Sequence, residues 1–314
     1  MTAATVSAGA PPVALQPARP SRRKRWKQAL IGWSFALPFV LLFTVFMAGP
    51  ILVSFITSFT DLRVTDIRSP LSVDFVGLDN YASVFGDAEF RKAATNTTVF
   101  VLVGVPLTMA LGLLAAVALN QGIVKFRRVF RVGYYLPVVT SIVAIAVVWR
   151  LLLGTETGLI NGLLDTVGIT GPGWLTDTRY SLPSLIVMSA WRNLGFSMIL
   201  FLAGLQTIPR ELYEAGAVDG AVGWQAFRRI TLPLLRPTML FVAVITTIGY
   251  LQFFEEPFVM TEGGPLDSTL SVAFHAYNQF SFGNYGYTAA VSYVLFLVIA
   301  VVAFLQFRLL RPKT

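Results

Sequence analysis

Few residues in this 314-residue chain could make or break a covalent bond. There is one histidine, His275, and no cysteine. That excludes disulfides, thiol nucleophiles and Cys- or His-based metal clusters, so no metal site is expected. No G-x-x-x-x-G-K-S/T run is present to cradle a nucleotide phosphate. The polar chemistry that remains sits in two places. In the first, Arg192 and Asn193 interrupt one long apolar stretch, and Tyr250, Gln252, Phe253, Phe254, Glu255 and Glu256 end another. Rings beside an amide and carboxylates suit stacking on, and hydrogen bonding to, a polyol. The plainer reading is helix packing with a cap at Pro257. For Arg192 the plainer reading is an arginine near the outer end of its span, reaching to the interface beside Trp191. Charge at mid-bilayer costs about 2.5–3.5 kcal/mol on insertion scales, so it otherwise faces protein or water.

The second place is residues 207–236. Pro209 suits a first helical turn. A short helix to about Val218 would carry Leu212, Ala215 and Val218 on one face. Asp219-Gly220 signals a turn. A second short helix would carry Trp224, Phe227 and Ile230 until Leu232-Pro233 ends it. Ala215, Gly216, Ala217, Gly220 and Ala221 are all small, so a partner could approach the backbone closely. This pattern suits docking in a groove of another protein, and a loop tucked beneath its own bundle is the alternative.

These residues need elements to hold them, and composition decides which. Hydrophobic residues make up 55% of the chain and charged ones 13%, and the mean hydropathy is +0.69. A soluble domain carries about 25% charged residues. Half that charge cannot cover a soluble body of this size, so the excess apolar surface faces lipid. The expected class is an all-α integral membrane protein. Six segments, about 31–58, 96–119, 132–153, 183–206, 237–258 and 288–307, could cross ~30 Å of hydrocarbon at ~1.5 Å per residue. Trp33, Trp149 and Trp191 near segment ends suit interfacial anchors. Pro38, Pro50 and Pro106 fall inside segments, where neighbouring helices can cover the freed carbonyls.

Residues 1–29 read as a disordered tail ending in the basic cluster Arg22, Arg23, Lys24, Arg25 and Lys27, and 30–314 as one six-span domain. The first apolar stretch is too long for a cleaved signal or a twin-arginine leader. The N-terminus, loops 120–131 and 207–236 and the C-terminus hold 17 of the 24 basic residues, which puts both termini in the cytoplasm. The net charge of +8 therefore reports orientation and gives no reason to expect nucleic acid. The opposite loops, 59–95, 154–182 and 259–287, are long enough for small exposed caps only.

Glu214-Ala215-Gly216, Asp219-Gly220-Ala221, Phe227, Ile230, Leu232-Pro233 and Pro237 resemble the "EAA" loop of permease subunits in bacterial ABC importers that work with a binding protein. Leu202-Ala203-Gly204-Leu205-Gln206, Ile208-Pro209, Gly77-Leu78 with Asn80-Tyr81, and Thr261-Glu262-Gly263-Gly264-Pro265 with Thr269 resemble its sugar branch, of maltose and glycerol-phosphate type. The likeness covers about 30 to 310. It departs at Gly216, where a second Ala is usual, and at Glu262, where Gly is common. The resemblance implies a six-helix type I importer permease in the bacterial cytoplasmic membrane. It implies a second homologous permease, an ABC ATPase dimer that holds ATP and Mg, and an external solute-binding protein, free or lipid-anchored. Glu214 would meet a basic residue of the ATPase, Gly220 would shape the turn, and Gly263, Gly264 and Pro265 would lie toward the binding protein. Alternating access would follow from ATP-driven closure of the ATPases.

Three other readings compete. A secondary transporter or channel would want coupling carboxylates within the bilayer, and here the acids cluster in loops and at one span end. An intramembrane enzyme lacks a catalytic constellation. A mere scaffold is the third. Asn96-Thr97-Thr98 matches a glycosylation acceptor but opens a span in a chain of bacterial type. Among solutes, a sugar or polyol comes first and a glycerol phosphodiester second.

Overall fold

The computed structural model describes residues 22–68, 73–120 and 126–310. The segment 1–21 of the expected disordered tail lies outside the described residues, as do Lys125, Arg311, Lys313 and the side chains of the basic cluster at 22–27 other than Trp26. Among the described residues every regular element is helical, with one isolated bridge between Thr60 and Phe75.

The first of two units ends at Val53. It holds α1 (Arg22–Phe43), a π-helical turn (Thr44–Ala48) and the start of α2 (Gly49–Thr57). Pro38 sits inside α1. The wide turn precedes Pro50. There the Gly49 N–H bonds the Thr44 carbonyl five residues back, which makes room for a proline ring that a normal turn would crowd.

The second unit follows from Ser54. Its helices are α3 (Asp79–Gly86), α4 (Ala88–Asn120), α5 (Arg127–Val139), α6 (Ile142–Leu152), α7 (Leu159–Thr166) and α8 (Ser181–Gln206). Then come α9 (Arg210–Val218), α10 (Trp224–Ala226), α11 (Leu232–Leu234), α12 (Arg236–Leu251), α13 (Glu255–Met260), α14 (Val272–Ser281) and α15 (Tyr285–Leu310). Leu30–Thr57, Ala88–Asn120, Ser181–Gln206 and Tyr285–Leu309 are each long and apolar enough to cross a bilayer. The count reaches six when each bent pair, α5 with α6 and Trp224–Leu234 with α12, forms one span.

Three expected boundaries change. The segment read as 96–119 begins at Ala88, because the Asp87 carboxylate caps it by accepting the Glu89 N–H at 2.8 Å. The segment 132–153 is two helices at 99°, broken at Thr140-Ser141. The segment 237–258 leaves the helix at Leu251, runs through Gln252–Phe254, and coils again in α13.

α8 is the hub, and small residues let its neighbours close on it. Gly104, Thr108, Gly112 and Ala116 recur every fourth residue on α4 and are all buried. A Cβ on Gly112 would stand 2.6 Å from Ser197 Cβ, and one on Gly204 would stand 2.5 Å from Thr238 Oγ1. Lipid gives no hydrophobic drive between helices, so this close packing supplies the association.

The outer cap has its own lock. His275 in α14 is fully buried, with Nε2 3.5 Å from Asp87 Oδ2 and Nδ1 3.5 Å from Glu89 Oε1. Tyr287 donates its hydroxyl to Asp87 Oδ2 at 2.7 Å. Its oxygen lies 3.2 Å from His275 Nε2. The starts of α4 and α15 and the whole of α14 are thereby tied together. Burial raises the Asp87 carboxyl, but the Tyr287 hydroxyl, the Glu89 N–H and His275 outweigh it and hold the group below the usual carboxylate range. A depressed carboxylate stabilises above its unfolded pKa, and the contribution is lost as pH falls through the folded value. Thermal unfolding in detergent should therefore show an acid limb below about pH 4. Asp87→Asn should flatten that limb and weaken the protein at neutral pH by about 1 kcal/mol. An unchanged acid limb in the variant would contradict this.

Candidate functional site

The loop between α8 and α12 begins at Pro209, which sits at φ −58°, ψ 139° and starts α9 without an N–H to satisfy. α9 ends in a paired closure. Ala221 N–H bonds the Gly216 carbonyl at 2.8 Å and Gly220 N–H bonds Ala217 at 3.1 Å. Gly220 takes φ +77° between them. This Schellman pattern needs a left-handed residue there, which glycine adopts without strain. Gly223, at φ +54°, makes a second reversal before α10. The sequence reading passed over it, although a glycine directly before a new amphipathic run was the available signal.

The second arm does not stop at Leu232-Pro233 as expected. A π-helical turn (Phe227–Thr231) joins α10 to α11, and the Leu232 N–H reaches the Phe227 carbonyl. The wide turn absorbs Pro233. The bend falls at Leu235, where Pro237 has no N–H to offer the Pro233 carbonyl, and α12 leaves at 67°.

One face of the loop is anchored and the other is free. Tyr213 and Thr231 hydroxyls meet at 2.9 Å, and Ala221 and Thr231 are buried. A Cβ on Gly216 would come 2.6 Å from Ile230 Cδ1, so Ile230 occupies the space that Ala fills at this position in the sequence pattern. Phe227 is half-buried and stacks on Trp224 with centroids 5.3 Å apart. Leu232 is half-buried and Pro233 exposed. Glu214, Ala215, Asp219 and Gly220 are exposed, as are Leu212, Val218, Val222 and Trp224. A cavity of about 510 Å³ separates the two arms from the ends of α4 and α8. Ile208, Tyr213 and Leu235 pack in one apolar cluster with Leu119 of α4 and Leu205 of α8, so the loop is joined to the bundle at its two ends.

Of the eight polar and aromatic residues singled out in the apolar stretches, seven converge, and Phe254 packs elsewhere, against Phe258, Phe274 and Tyr277. Arg192, Asn193, Tyr250, Gln252, Phe253 and Glu256 all line one cavity of about 280 Å³, with Glu255 and Ser197 beside them. The non-helical Gln252–Phe254 joins α12 to α13, so that Tyr250 of the one and Glu256 of the other reach the same space. Glu256 is buried and accepts the Ser189 hydroxyl at 2.9 Å. Asn193 Nδ2 donates to the Ser189 carbonyl at 2.9 Å. Tyr250 pairs with the buried Thr108 hydroxyl at 2.7 Å. Phe253 stacks on Phe100, centroids 3.9 Å apart and rings 5° from parallel. Arg192 Nε and Ser197 Oγ are buried without a hydrogen-bond partner. Arg192 therefore lies on the cavity, while Trp191 takes the outer face against Trp149 at 5.6 Å. A cation, two carboxylates, two amides and three rings thus line one space, a mix able to hydrogen-bond and stack on a polar ligand.

In the loop after α13, Gly263 is buried and Gly264 and Pro265 are half-buried. They shape the loop. Thr269 N–H bonds the Gly263 carbonyl at 3.2 Å, and its hydroxyl bonds that of Gly264 at 3.0 Å. The exposed side chains are Glu262, Leu266 and Asp267, all at positive φ. Glu262, at φ +53°, sits where the sequence pattern prefers glycine, so the chain tolerates strain there. The Asn96 amide is engaged by the Asp267 carbonyl at 2.8 Å and that of Leu270 at 3.0 Å.

Residues 108–314 match the family described as "Binding-protein-dependent transport system inner membrane component". The lactose transport system permease protein of Rhizobium radiobacter is 37% identical over 90% of this chain and 94% of its own length. The trehalose/maltose transport system permease protein of Thermococcus litoralis is 32% identical over 88% of this chain and 92% of its own. A chain of a bacterial ABC transporter crystallised with an alginate pentasaccharide-bound periplasmic protein superposes with a TM-score of 0.77 at 25% identity, covering 92% of this chain and 97% of that one.

The loop geometry separates its glycines. Gly220→Ala should destabilise the turn by about 1 kcal/mol through strain at positive φ. Gly216→Ala should be close to neutral, since about 1 kcal/mol of helix propensity offsets displacement of the flexible Ile230 tip. Hydrogen exchange at the Ala221 amide measures both, and equal protection losses would contradict the assignment.

Proposed function

The chain belongs to the family of binding-protein-dependent transport system inner membrane components, and on that premise we propose that it is the permease subunit of an ATP-driven importer for a carbohydrate or related polyol. Its setting is the cytoplasmic membrane, with both termini inside. A second homologous permease completes the pathway, an external binding protein delivers the solute, and a partner ATPase dimer binds ATP and Mg. The exposed turn with Glu214, Asp219 and Gly220 docks in a groove of that ATPase. Glu214 pairs there with a basic side chain, and Val218, Val222 and Trp224 supply apolar contact. ATPase closure moves the turn, and alternating access follows. Membership of the family removes the self-contained transporter or channel.

The observation that supports the carbohydrate reading is the cavity at the end of α12, where rings, amides and a hydroxyl-bonded carboxylate face one space. The relatives named for lactose and for trehalose/maltose are consistent with it. A glycerol phosphodiester is the second reading, favoured by the unpartnered Arg192 Nε, because a guanidinium takes phosphate well.

The test is reconstitution of the whole importer with Glu214→Ala. Coupling energies between sites run about 1–3 kcal/mol, so solute-stimulated ATP hydrolysis and uptake should fall roughly 5- to 150-fold while insertion is unchanged. Stimulated hydrolysis at the unmodified rate would contradict the docking role of Glu214.

A further inference from the structure

We infer that Gly104, which itself forms no wall of the intramembrane cavity, sets the cavity's width through Tyr250 and thereby selects solutes by size. The inference rests on reading that cavity as the carbohydrate site. Tyr250 is one wall of the cavity, and α4 holds its ring from behind. A Cβ on Gly104 would stand 2.7 Å from Tyr250 Cε2 and 3.0 Å from Cδ2. Carbon atoms in contact sit about 3.5–4.0 Å apart, so the ring occupies space that any side chain at 104 would need. Thr108, four residues on and hence on the same face of α4, holds the hydroxyl at 2.7 Å. Phe100, four residues back, meets the ring edge-on at 5.1 Å and is itself fixed by the parallel Phe253. Ile186 Cγ2 would already be 3.7 Å from that Cβ.

α4 thus presents a seat built on one stripe. Phe100 bounds it, Gly104 admits the face of the ring, and Thr108 pins the phenol. With a methyl at 104 the ring moves toward its one open side, which is the cavity. Gly104 is therefore a positioning residue. A narrower seat pushes Tyr250 forward, excluding long saccharides first and leaving the shortest ones.

The chain has no cysteine, so a single Gln252→Cys reports on the cavity. In the reconstituted importer, Gly104→Ala should slow labelling of that thiol by 2-sulfonatoethyl methanethiosulfonate several-fold. Adding Tyr250→Ala to the same variant should restore the rate. In uptake of glucose disaccharide, trisaccharide and tetrasaccharide, Gly104→Ala should lower the tetrasaccharide-to-disaccharide ratio about tenfold, the scale of a one-carbon misfit in a binding pocket. If Gly104→Ala fails to insert, Thr108→Val keeps the volume, releases the phenol, and should move both readouts in the same direction. Unchanged labelling, whatever the sugar ratio, overturns the inference. Slowed labelling with an unchanged sugar ratio overturns the size selection and the reading of the cavity as a sugar site, while leaving the role of Gly104 in positioning Tyr250 intact.

Discussion

In hydrocarbon an unbonded backbone N–H or C=O costs several kcal/mol, so a helix can break only where protein or water takes up the freed groups. This constraint orders the molecule. Its apolar helices break at Thr140-Ser141, at Leu235 and across Gln252–Phe254. At Leu235 the gap left by Pro237 is bridged on either side, by Leu235 N–H on Thr231 at 2.9 Å and Met239 N–H on Leu235 at 2.8 Å. At Gln252 the bonds tighten to Gly249 at 3.2 Å and restart at Phe258 to Phe254 at 3.1 Å. The polar side chains Arg192, Asn193 and Glu256 gather at this third break. The cavity and the irregular backbone explain each other, since neither is stable in lipid alone.

The same two helices then serve both ends. α8 carries Arg192 and Asn193 at the cavity and runs unbroken to Gln206, about 20 Å further along at 1.5 Å per residue. The exposed turn follows almost at once. α12 leaves the other arm of that turn at Arg236 and ends at the cavity at Leu251. Close contacts at Gly112 and Gly204 hold α8 against α4 and α12. The loop and the cavity thus lie toward opposite ends of the same two helices.

Much of this was legible in the sequence because its causes are local. Hydropathy marks the long apolar helices, and the small, acidic and proline positions from Glu214 to Pro237 mark the loop. The convergence of Arg192 with Tyr250 and Glu256 was not legible, because it depends on where α12 unwinds, and nothing between Gly249 and Phe254 resembles a helix stop. The second arm was misjudged at Leu232-Pro233 because a wide turn can swallow a proline, which the residue pattern does not announce. Gly104, Thr108, Gly112 and Ala116 did carry a signal, small residues at every fourth position. It becomes meaningful only once Tyr250 is seen to fill the first of those gaps.

The central claim is that the turn after α9 engages a partner ATPase and transmits its state. Val218, 90% exposed beside that turn, offers the most direct probe. With Val218→Cys carrying a short photoactivatable crosslinker in the assembled importer, the account predicts adducts with the ATPase subunit, in a yield that changes between the ATP-bound and nucleotide-free states. Adducts confined to lipid or to this chain, the same in both states, would contradict it.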